Sequence, residues 1–192
     1  MIASGGKQHL RGVTEDLENM AAFVREGVVR AVIEIPAGTT DKRQYDRSTR
    51  TFPIDTRDGR PRRIAFLPYP ANYGFIPGTK MDRSQGGDGD ALDIFVLCTA
   101  QPSGTVMEVE PIGIIELLDA EERDDKVIAL PADRSLLTMD VDDIHELPEA
   151  ARTILVTWLL NYDPVDRAEL VSVKGRADAL AAIERWMTTA RP

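Results

Sequence analysis

The sequence is poor in cysteine and histidine and has no long apolar run. Its single cysteine, Cys98, cannot form an internal disulfide, so we expect a protein of a reducing, cytoplasmic compartment. The most apolar window, residues 153–160, is too short to span a bilayer, and the first twelve residues lack the apolar stretch of a signal peptide. Neither His9 nor His145 stands at a metal-ligand spacing, which argues against a zinc site or a histidine-based mechanism.

Basic residues are also in short supply. The chain has 23 Lys and Arg against 32 Asp and Glu, which gives a net charge of -9. We therefore expect no nucleic-acid partner and no general attraction to an anionic membrane, because both depend on an excess of cationic side chains. The length of 192 residues and the 43% hydrophobic content fit one globular domain and exclude a disordered chain or a coiled coil.

The hydrophobic pattern predicts a single α+β domain built on a β-barrel. We expect a helix over residues 14–27 and a strand over residues 28–35, ended by Pro36. Short strand signals at residues 94–97, 106–109, 112–117 and 127–130 favour a small antiparallel barrel. Two more helices are expected, one beginning at Pro148 and one over residues 177–187. The domain then divides into an N-terminal helical extension (1–27), a barrel core with an attached helix (28–175) and a C-terminal helix (176–192).

Two acidic stretches are candidates for metal binding. In GGDGDALD, residues 86–93, three carboxylates lie within six residues: Asp88, Asp90 and Asp93. Crowded carboxylates repel one another unless solvent screens them or a hard cation joins them, so the stretch is either a solvated turn or a metal loop. An EF-hand is excluded, because Leu92 and Thr99 stand where it needs oxygen ligands. The second stretch places Asp119 and Asp124 between two strand signals and Lys126 before the next strand, which also fits a charged hairpin loop.

Tyrosines and cations could bind an anion beside these acids. Residues 69–78, YPANYGFIPG, contain too much Pro, Asn and Gly for a helix or a central strand, and we interpret them as a rigid irregular segment. Its hydroxyls could donate to an oxyanion or to backbone carbonyls of a packed loop. Basic residues occur at Lys42 and Arg43 and again over residues 60–63, while Glu34 interrupts the apolar strand of residues 28–35. Carboxylates for Mg²⁺, with Lys and Arg for phosphoryl oxygens, suggest metal-assisted phosphate chemistry.

Four blocks in this order resemble the soluble inorganic pyrophosphatases of family I: VVRAVIEIPAG, PYPANYGFIPG, GGDGDALDIFVL and GIIELLDAEERDDKVIALP. The resemblance covers residues 28–173. It implies an OB-like barrel with helices at its side, Mg²⁺-dependent hydrolysis of pyrophosphate to two phosphates, and a homo-oligomer. It also implies several Mg²⁺ ions per site, with Mn²⁺ as a substitute and Ca²⁺ as an inhibitor.

The resemblance also assigns roles to individual residues. Asp90 would orient and deprotonate the attacking water, with Tyr73 beside it. The metal ligands would be Glu34, Asp88, Asp93, Asp119 and Asp124. The phosphate-binding residues would be Lys42, Arg62, Lys126 and Tyr162, although Arg63 could take the place of Arg62.

The chain departs from the family pattern in two places. Arg43 and Gln44 stand where the family usually has an aromatic residue and a glutamate, and Asp163 replaces a lysine that binds phosphate. We therefore expect Asp163 to weaken substrate binding unless another cation compensates. These departures are the only support for an alternative, a degenerate relative that binds phosphate compounds or a partner without turnover.

Overall fold

A computed structural model describes residues 16–137, 139–165 and 168–188 of the chain. Ten strands and two helices follow in this order: β1 Phe23–Arg25, β2 Val28–Ile35, β3 Thr56–Arg57, β4 Arg60–Pro61, β5 Asn72–Phe75, β6 Asp93–Val96, β7 Val106–Asp119, β8 Glu122–Arg123, β9 Lys126–Pro131, α1 Glu149–Leu159, β10 Glu169–Gly175 and α2 Arg176–Trp186. Short 3₁₀ turns lie between them, the first at Leu17–Asn19.

Five of these strands close into a barrel. The strand order is β2-β5-β6-β9-β7, and the ring closes because β2 also pairs with β7. All neighbours in the ring are antiparallel except β6 and β9, which run parallel with Asp93 opposite Lys126. The prediction of an OB-like α+β barrel with helices at its side is confirmed, with this one parallel pair as the exception.

The strands of the barrel bury apolar side chains on both faces. Alternate residues of β6 and β9 enter two different clusters, as period-two side-chain geometry requires. Ile94, Val96 and Val127 belong to the cluster that packs against α2, whereas Phe95 and Ile128 belong to the cluster that packs against α1. Both faces of β6 are covered, and a strand buried on both faces typically has a nearly continuous run of apolar residues, as residues 94–96 do.

The predicted N-terminal helix is wrong over the described residues. Residues 1–15 lie outside the described part of the chain, but after the turn at Leu17–Asn19 the chain forms β1, which pairs with β2. Gly27, which we expected to end a helix, instead turns the chain between β1 and β2 with φ of 72°. A helix end and a tight turn both use the left-handed conformation that glycine adopts easily, so the same residue fits either structure.

Strand β5 lies in the segment that we expected to be irregular, and that expectation was wrong. It pairs with β2 on one side and β6 on the other. Gly74 is needed here because a Cβ atom at this position would lie 1.8 Å from the carbonyl oxygen of Val32. Pairing on both sides therefore outweighs the weak strand propensity of Asn and Gly.

The other predicted elements are confirmed, and the structure adds the short strands β3, β4 and β8, which were not predicted. The strands expected at 106–109 and 112–117 form one continuous strand, β7, through Pro111, and β10 lies unpredicted between the two C-terminal helices. In the described residues, no helix is long and apolar enough to cross a membrane.

Candidate active site

The eleven predicted site residues all line one cavity of about 320 Å³. They are Glu34, Lys42, Arg62, Tyr73, Asp88, Asp90, Asp93, Asp119, Asp124, Lys126 and Tyr162. Six of them are carboxylic acids and three are cations, so negative charge dominates the cavity. Each strand of the barrel contributes at least one residue to the lining of this cavity: β2, β5, β6, β7 and β9.

The loop that carries Asp88 and Asp90 is fixed by Met81. The backbone N–H of Met81 donates to the carbonyl of Asp90 at 2.8 Å, and Gly89 N–H donates to the carbonyl of Met81 at 2.8 Å. A Cβ atom on Gly87 would lie 2.5 Å from the carbonyl carbon of Met81, so only glycine allows this approach. Within the loop, the backbone N–H of Asp90 donates to Oδ1 of Asp88 at 2.9 Å, which fixes the Asp88 carboxylate against the backbone of Asp90.

The pairing of β6 with β5 on one side and with β9 on the other brings a tyrosine, a lysine and two aspartates together. The hydroxyl of Tyr73 donates to Oδ2 of Asp93 at 2.5 Å, and Nζ of Lys126 donates to the same oxygen at 2.6 Å. Lys126 also donates to Asp124. The ammonium group of Lys126 therefore bridges two of the predicted metal ligands.

Burial and mutual charge shift the pKa values of this cluster. Burial raises the pKa of Asp93 even though Lys126 opposes the rise, and burial beside Asp93 raises the pKa of Tyr73 well above its usual value. For Lys126, burial lowers the pKa, but the negative charges of Asp93 and Asp124 outweigh it and the net shift is upward. Tyr73 is therefore a neutral hydrogen-bond donor and Lys126 a fixed cation at neutral pH.

The pKa values of Glu34 and Lys42 are both shifted toward the neutral form by burial in this cavity. Oε1 of Glu34 accepts a hydrogen bond from the backbone N–H of Tyr45 at 2.6 Å. Burial nevertheless raises the pKa of Glu34 to about 8, with the charge of Asp93 adding to the rise. Burial, helped by the nearby charge of Arg62, lowers the pKa of Lys42. Both pKa shifts favour the neutral form of the group, as expected for a buried side chain without a compensating opposite charge.

Arg62 lies between two carboxylates. Its Nη1 is 2.9 Å from Oδ2 of Asp55, which also lines the cavity, and its Nη2 is 2.7 Å from Oδ2 of Asp163. Arg63 points elsewhere, to Asp41 at 2.9 Å, and is mostly exposed. Of the two arginines left open by the sequence, Arg62 is therefore the one that reaches the cavity.

An aromatic stack supports the tyrosines at the cavity. The rings of Trp158 and Tyr162 are nearly parallel, 5° apart in plane and 4.7 Å between centroids. Tyr69 packs on both Trp158 and Tyr73, at 4.7 and 5.4 Å. Burial raises the pKa of Tyr162 to about 12, so its hydroxyl is a donor at neutral pH.

The donor atoms of the cavity suit a hard divalent cation. The ligands on offer are carboxylate oxygens, which Mg²⁺ prefers, and neither imidazole nor thiolate lines the cavity. Burial and the charges of Asp93, Asp90 and Asp124 raise the pKa of Asp88 to about 6, a sign of uncompensated negative charge. In the described part of the chain, no three such side chains gather tightly enough to form a metal cage in advance. The residues thus fit a cation that keeps several water or substrate oxygens in its shell.

Comparison with known proteins identifies the family to which this chain belongs. A sequence profile described as inorganic pyrophosphatase matches residues 31–191 of the chain. The chain belongs to the inorganic pyrophosphatase family.

Relatives and solved structures of this family align over most of the chain. The inorganic pyrophosphatase of Sulfolobus acidocaldarius is 34% identical over 162 residues, covering 82% of this chain and 87% of that protein. The Synechocystis enzyme of the same name is 35% identical over 79% of this chain and 91% of its own length. The crystal structure of the Thermus thermophilus inorganic pyrophosphatase superposes with a TM-score of 0.77 at 27% identity, covering 88% of this chain and 95% of that one.

Some cavity residues of this pyrophosphatase-family chain were missed from the sequence. Asp55 lines the cavity and binds Arg62, but it stands alone in an arginine-rich stretch, and nothing in its spacing marks it. Arg43 and Gln44, the departures noted above, also line the cavity; Nη1 of Arg43 donates to the carbonyl of Phe52 at 2.9 Å. Asp163 is not among the residues that line the cavity, and its expected effect on substrate binding stays a prediction.

Proposed function

We propose that this chain hydrolyses inorganic pyrophosphate to two phosphates with the help of Mg²⁺. The observation that carries the proposal is the convergence of eight acidic residues, four cations and three tyrosines on one cavity in a pyrophosphatase-family chain. Pyrophosphate carries several negative charges and would be repelled by the carboxylates alone. Divalent cations resolve that conflict, so substrate and metal are expected to bind together.

The metal ligands that we propose are Glu34, Asp88, Asp93, Asp119 and Asp124. When bound, the ions would neutralise the substrate and lower the pKa of a water molecule in the cavity. Asp93 is held in place for this role by Tyr73 and Lys126. Lys126 would in addition meet a phosphate oxygen, because its ammonium group has three donors.

Asp90 is the general base in this proposal. Its exposed carboxylate, next to Asp88, would orient the attacking water and accept its proton. As the new P–O bond forms, the bond to the bridging oxygen breaks and the second phosphate leaves. Lys42, Arg62 and Tyr162 would donate to phosphoryl oxygens and stabilise the charge on the leaving phosphate.

The test is phosphate release from pyrophosphate with and without Mg²⁺, beside an Asp90→Asn variant. We expect release that needs Mg²⁺ and falls by at least about a hundredfold in the variant, since general-base catalysis is worth that much. Mn²⁺ should substitute, whereas Ca²⁺, with its larger and looser shell, should inhibit. A folded protein that binds Mg²⁺ and releases no phosphate would overturn the proposal in favour of a binding protein without turnover.

We also propose that the chain acts as a homo-oligomer in the cytoplasm. Large apolar side chains are exposed at Ile154 on α1 and at Leu170 and Val171 on β10. Burial of such residues against a second copy would remove apolar area from water. Sedimentation velocity at micromolar concentration tests the oligomer, and a monomer throughout the range would contradict it.

A further inference from the structure

Asp163 follows Tyr162 in sequence, yet its carboxylate is directed to two arginines rather than to the cavity. The residue is only 9% exposed. Oδ2 lies 2.7 Å from Nη2 of Arg62 and 3.2 Å from Nη2 of Arg57, and Oδ1 accepts from the backbone N–H of Val165 at 3.0 Å. A carboxylate with donors on both oxygens is fixed in one orientation and compensates for its burial through them.

Arg62 is fixed from two sides by this arrangement. Asp55 binds one terminal nitrogen of the guanidinium group and Asp163 binds the other. The backbone is tied as well: Arg62 N–H donates to the carbonyl of Asp55 at 2.8 Å, and Lys42 N–H donates to the carbonyl of Arg62 at 3.0 Å. The two cations that we assign to phosphate, Lys42 and Arg62, are therefore held at a set separation.

We propose that Asp163 is a positioning residue for Arg62 and not a residue that repels substrate. The inference rests on the proposed function, because it assumes that Arg62 binds phosphate. Arg57, from the β3–β4 hairpin, shares the charge of Asp163, so Arg62 keeps part of its positive charge for the substrate. A guanidinium group held in advance loses less conformational freedom when it binds an anion.

Replacing Asp163 by lysine should therefore weaken substrate binding, which is the opposite of what the family pattern suggests. A lysine would add a third cation next to Arg57 and Arg62. It would also remove one of the two carboxylates that bind Arg62, so that Asp55 would be the remaining one. Asp163→Asn keeps the shape and removes the charge, so it is the cleaner variant. Asp58→Asn is the matched control, because it makes the same change at the tip of the β3–β4 hairpin that carries Arg57, where φ of 52° suits Asn as well as Asp.

The experiment is a double-mutant cycle on KM. We expect Asp163→Asn to raise the KM for Mg-pyrophosphate about tenfold, the scale of one lost charge-assisted contact, with kcat changed less than about threefold. Asp163→Glu should recover part of the loss, and Asp58→Asn should leave KM unchanged. In an Arg62→Gln background, Asp163→Asn should have no further effect, since the group through which it acts is gone.

A binding measurement separates the possible failures. Calorimetric titration with imidodiphosphate and Mg²⁺ should show the same weakening of Kd in Asp163→Asn, without any turnover. A fall in KM on removing the charge, or an equal rise in both backgrounds, would overturn the positioning role. A wild-type protein that neither binds imidodiphosphate nor releases phosphate would instead refute the proposed function itself.

Discussion

At the scale of single residues, the shared oxygen of Asp93 is the most constrained atom of the cavity. It accepts from both Tyr73 and Lys126 within 2.6 Å, and burial keeps Tyr73 protonated. The tyrosine therefore acts as a neutral donor that fixes Oδ2 of the Asp93 carboxylate. Loss of this donor should disturb the carboxylate more than it disturbs the fold.

The change Tyr73→Phe tests this arrangement. One hydrogen bond to a charged group is worth about 1.5–3 kcal/mol. We expect kcat to fall about tenfold, because only part of this energy contributes to the stabilisation of the transition state. Steady-state kinetics at saturating Mg²⁺ give the measurement. Tyr69→Phe is the control, since it removes a hydroxyl from the neighbouring ring, and equal losses in both variants would contradict the role of the Tyr73 hydroxyl.

Asp163 also predicts a pH dependence of stability. Burial would raise the pKa of Asp163, but the Val165 N–H and the guanidinium groups of Arg62 and Arg57 outweigh it and lower the pKa. Its contribution is therefore present above the unfolded pKa of about 3.9 and is lost as pH falls through the lower, folded value. Urea unfolding should show wild type more stable than Asp163→Asn by a constant amount from pH 5 to 8, with the difference shrinking below about pH 4. A difference that grows in acid would show the sign to be wrong.

The sequence predicted the chemistry of the site better than its contacts. Residue type and spacing marked the acidic stretches, the tyrosine segment and the basic residues, and the resemblance to a known family supplied the rest of the eleven predicted residues, Tyr162 among them. The partners of Arg62 could not be found in this way. Asp55 and Asp163 lie 7 and 101 residues from Arg62, and only the closed fold brings both to its guanidinium group.

At the scale of elements, the β7–β8 hairpin has an uncommon turn. Ala120 and Glu121 form a two-residue loop with φ of 48° and 70°, next to the pair Asp119 and Glu122. Two positive φ angles define the type I′ turn, which favours Asn-Gly over residues with larger side chains. This strain lies directly beside Asp119, one of the proposed metal ligands.

Replacing the turn by Asn-Gly should therefore stabilise the protein. The double change Ala120→Asn with Glu121→Gly should raise the free energy of unfolding by about 1 kcal/mol, because left-handed backbone costs that much at ordinary residues. Chemical unfolding measures the free energy of unfolding of both proteins. The Mg²⁺ concentration that activity requires shows whether the position of Asp119 has changed. No gain in stability would mean that neighbouring contacts already relieve the strain.

The elements that the sequence missed are short strands that form by pairing with a neighbouring strand, close in sequence for β1 and distant for β10. Strand β10 lies between two helices in sequence, and it forms by pairing with β7 more than fifty residues earlier. Strand β1 replaces a predicted helix by pairing with β2 across the turn at Gly27. Helical periodicity in such segments reports only local preference, and neighbouring strands override it. Elements with long apolar stripes, α1 and α2, were predicted within one or two residues.

At the scale of the whole molecule, the acidic cavity makes stability depend on metal. Eight acidic residues line one cavity, and the four cations that line it with them offset only part of the negative charge. Ions that bind the folded state alone stabilise it by mass action, about 2.7 kcal/mol at a concentration of 100 times Kd. Mg²⁺ should thus raise Tm by roughly 5–10 °C for a chain of this size. Differential scanning calorimetry with Mg²⁺ against EDTA measures it, and Asp93→Asn should show a smaller rise.

The parallel pair of strands also determines when the site can exist during synthesis. Lys126 opposes Asp93 only once β9 has entered the ring between β6 and β7. A nascent chain that has emerged only to residue 120 has its aspartate loop but not the lysine, and β6 lacks one neighbour. Pairings this far apart in sequence form late and slowly, because loop closure has to precede them. The cavity is therefore complete only after Lys126 and Tyr162 have been synthesised and β9 has paired, so a shorter nascent chain lacks the full set of cavity residues.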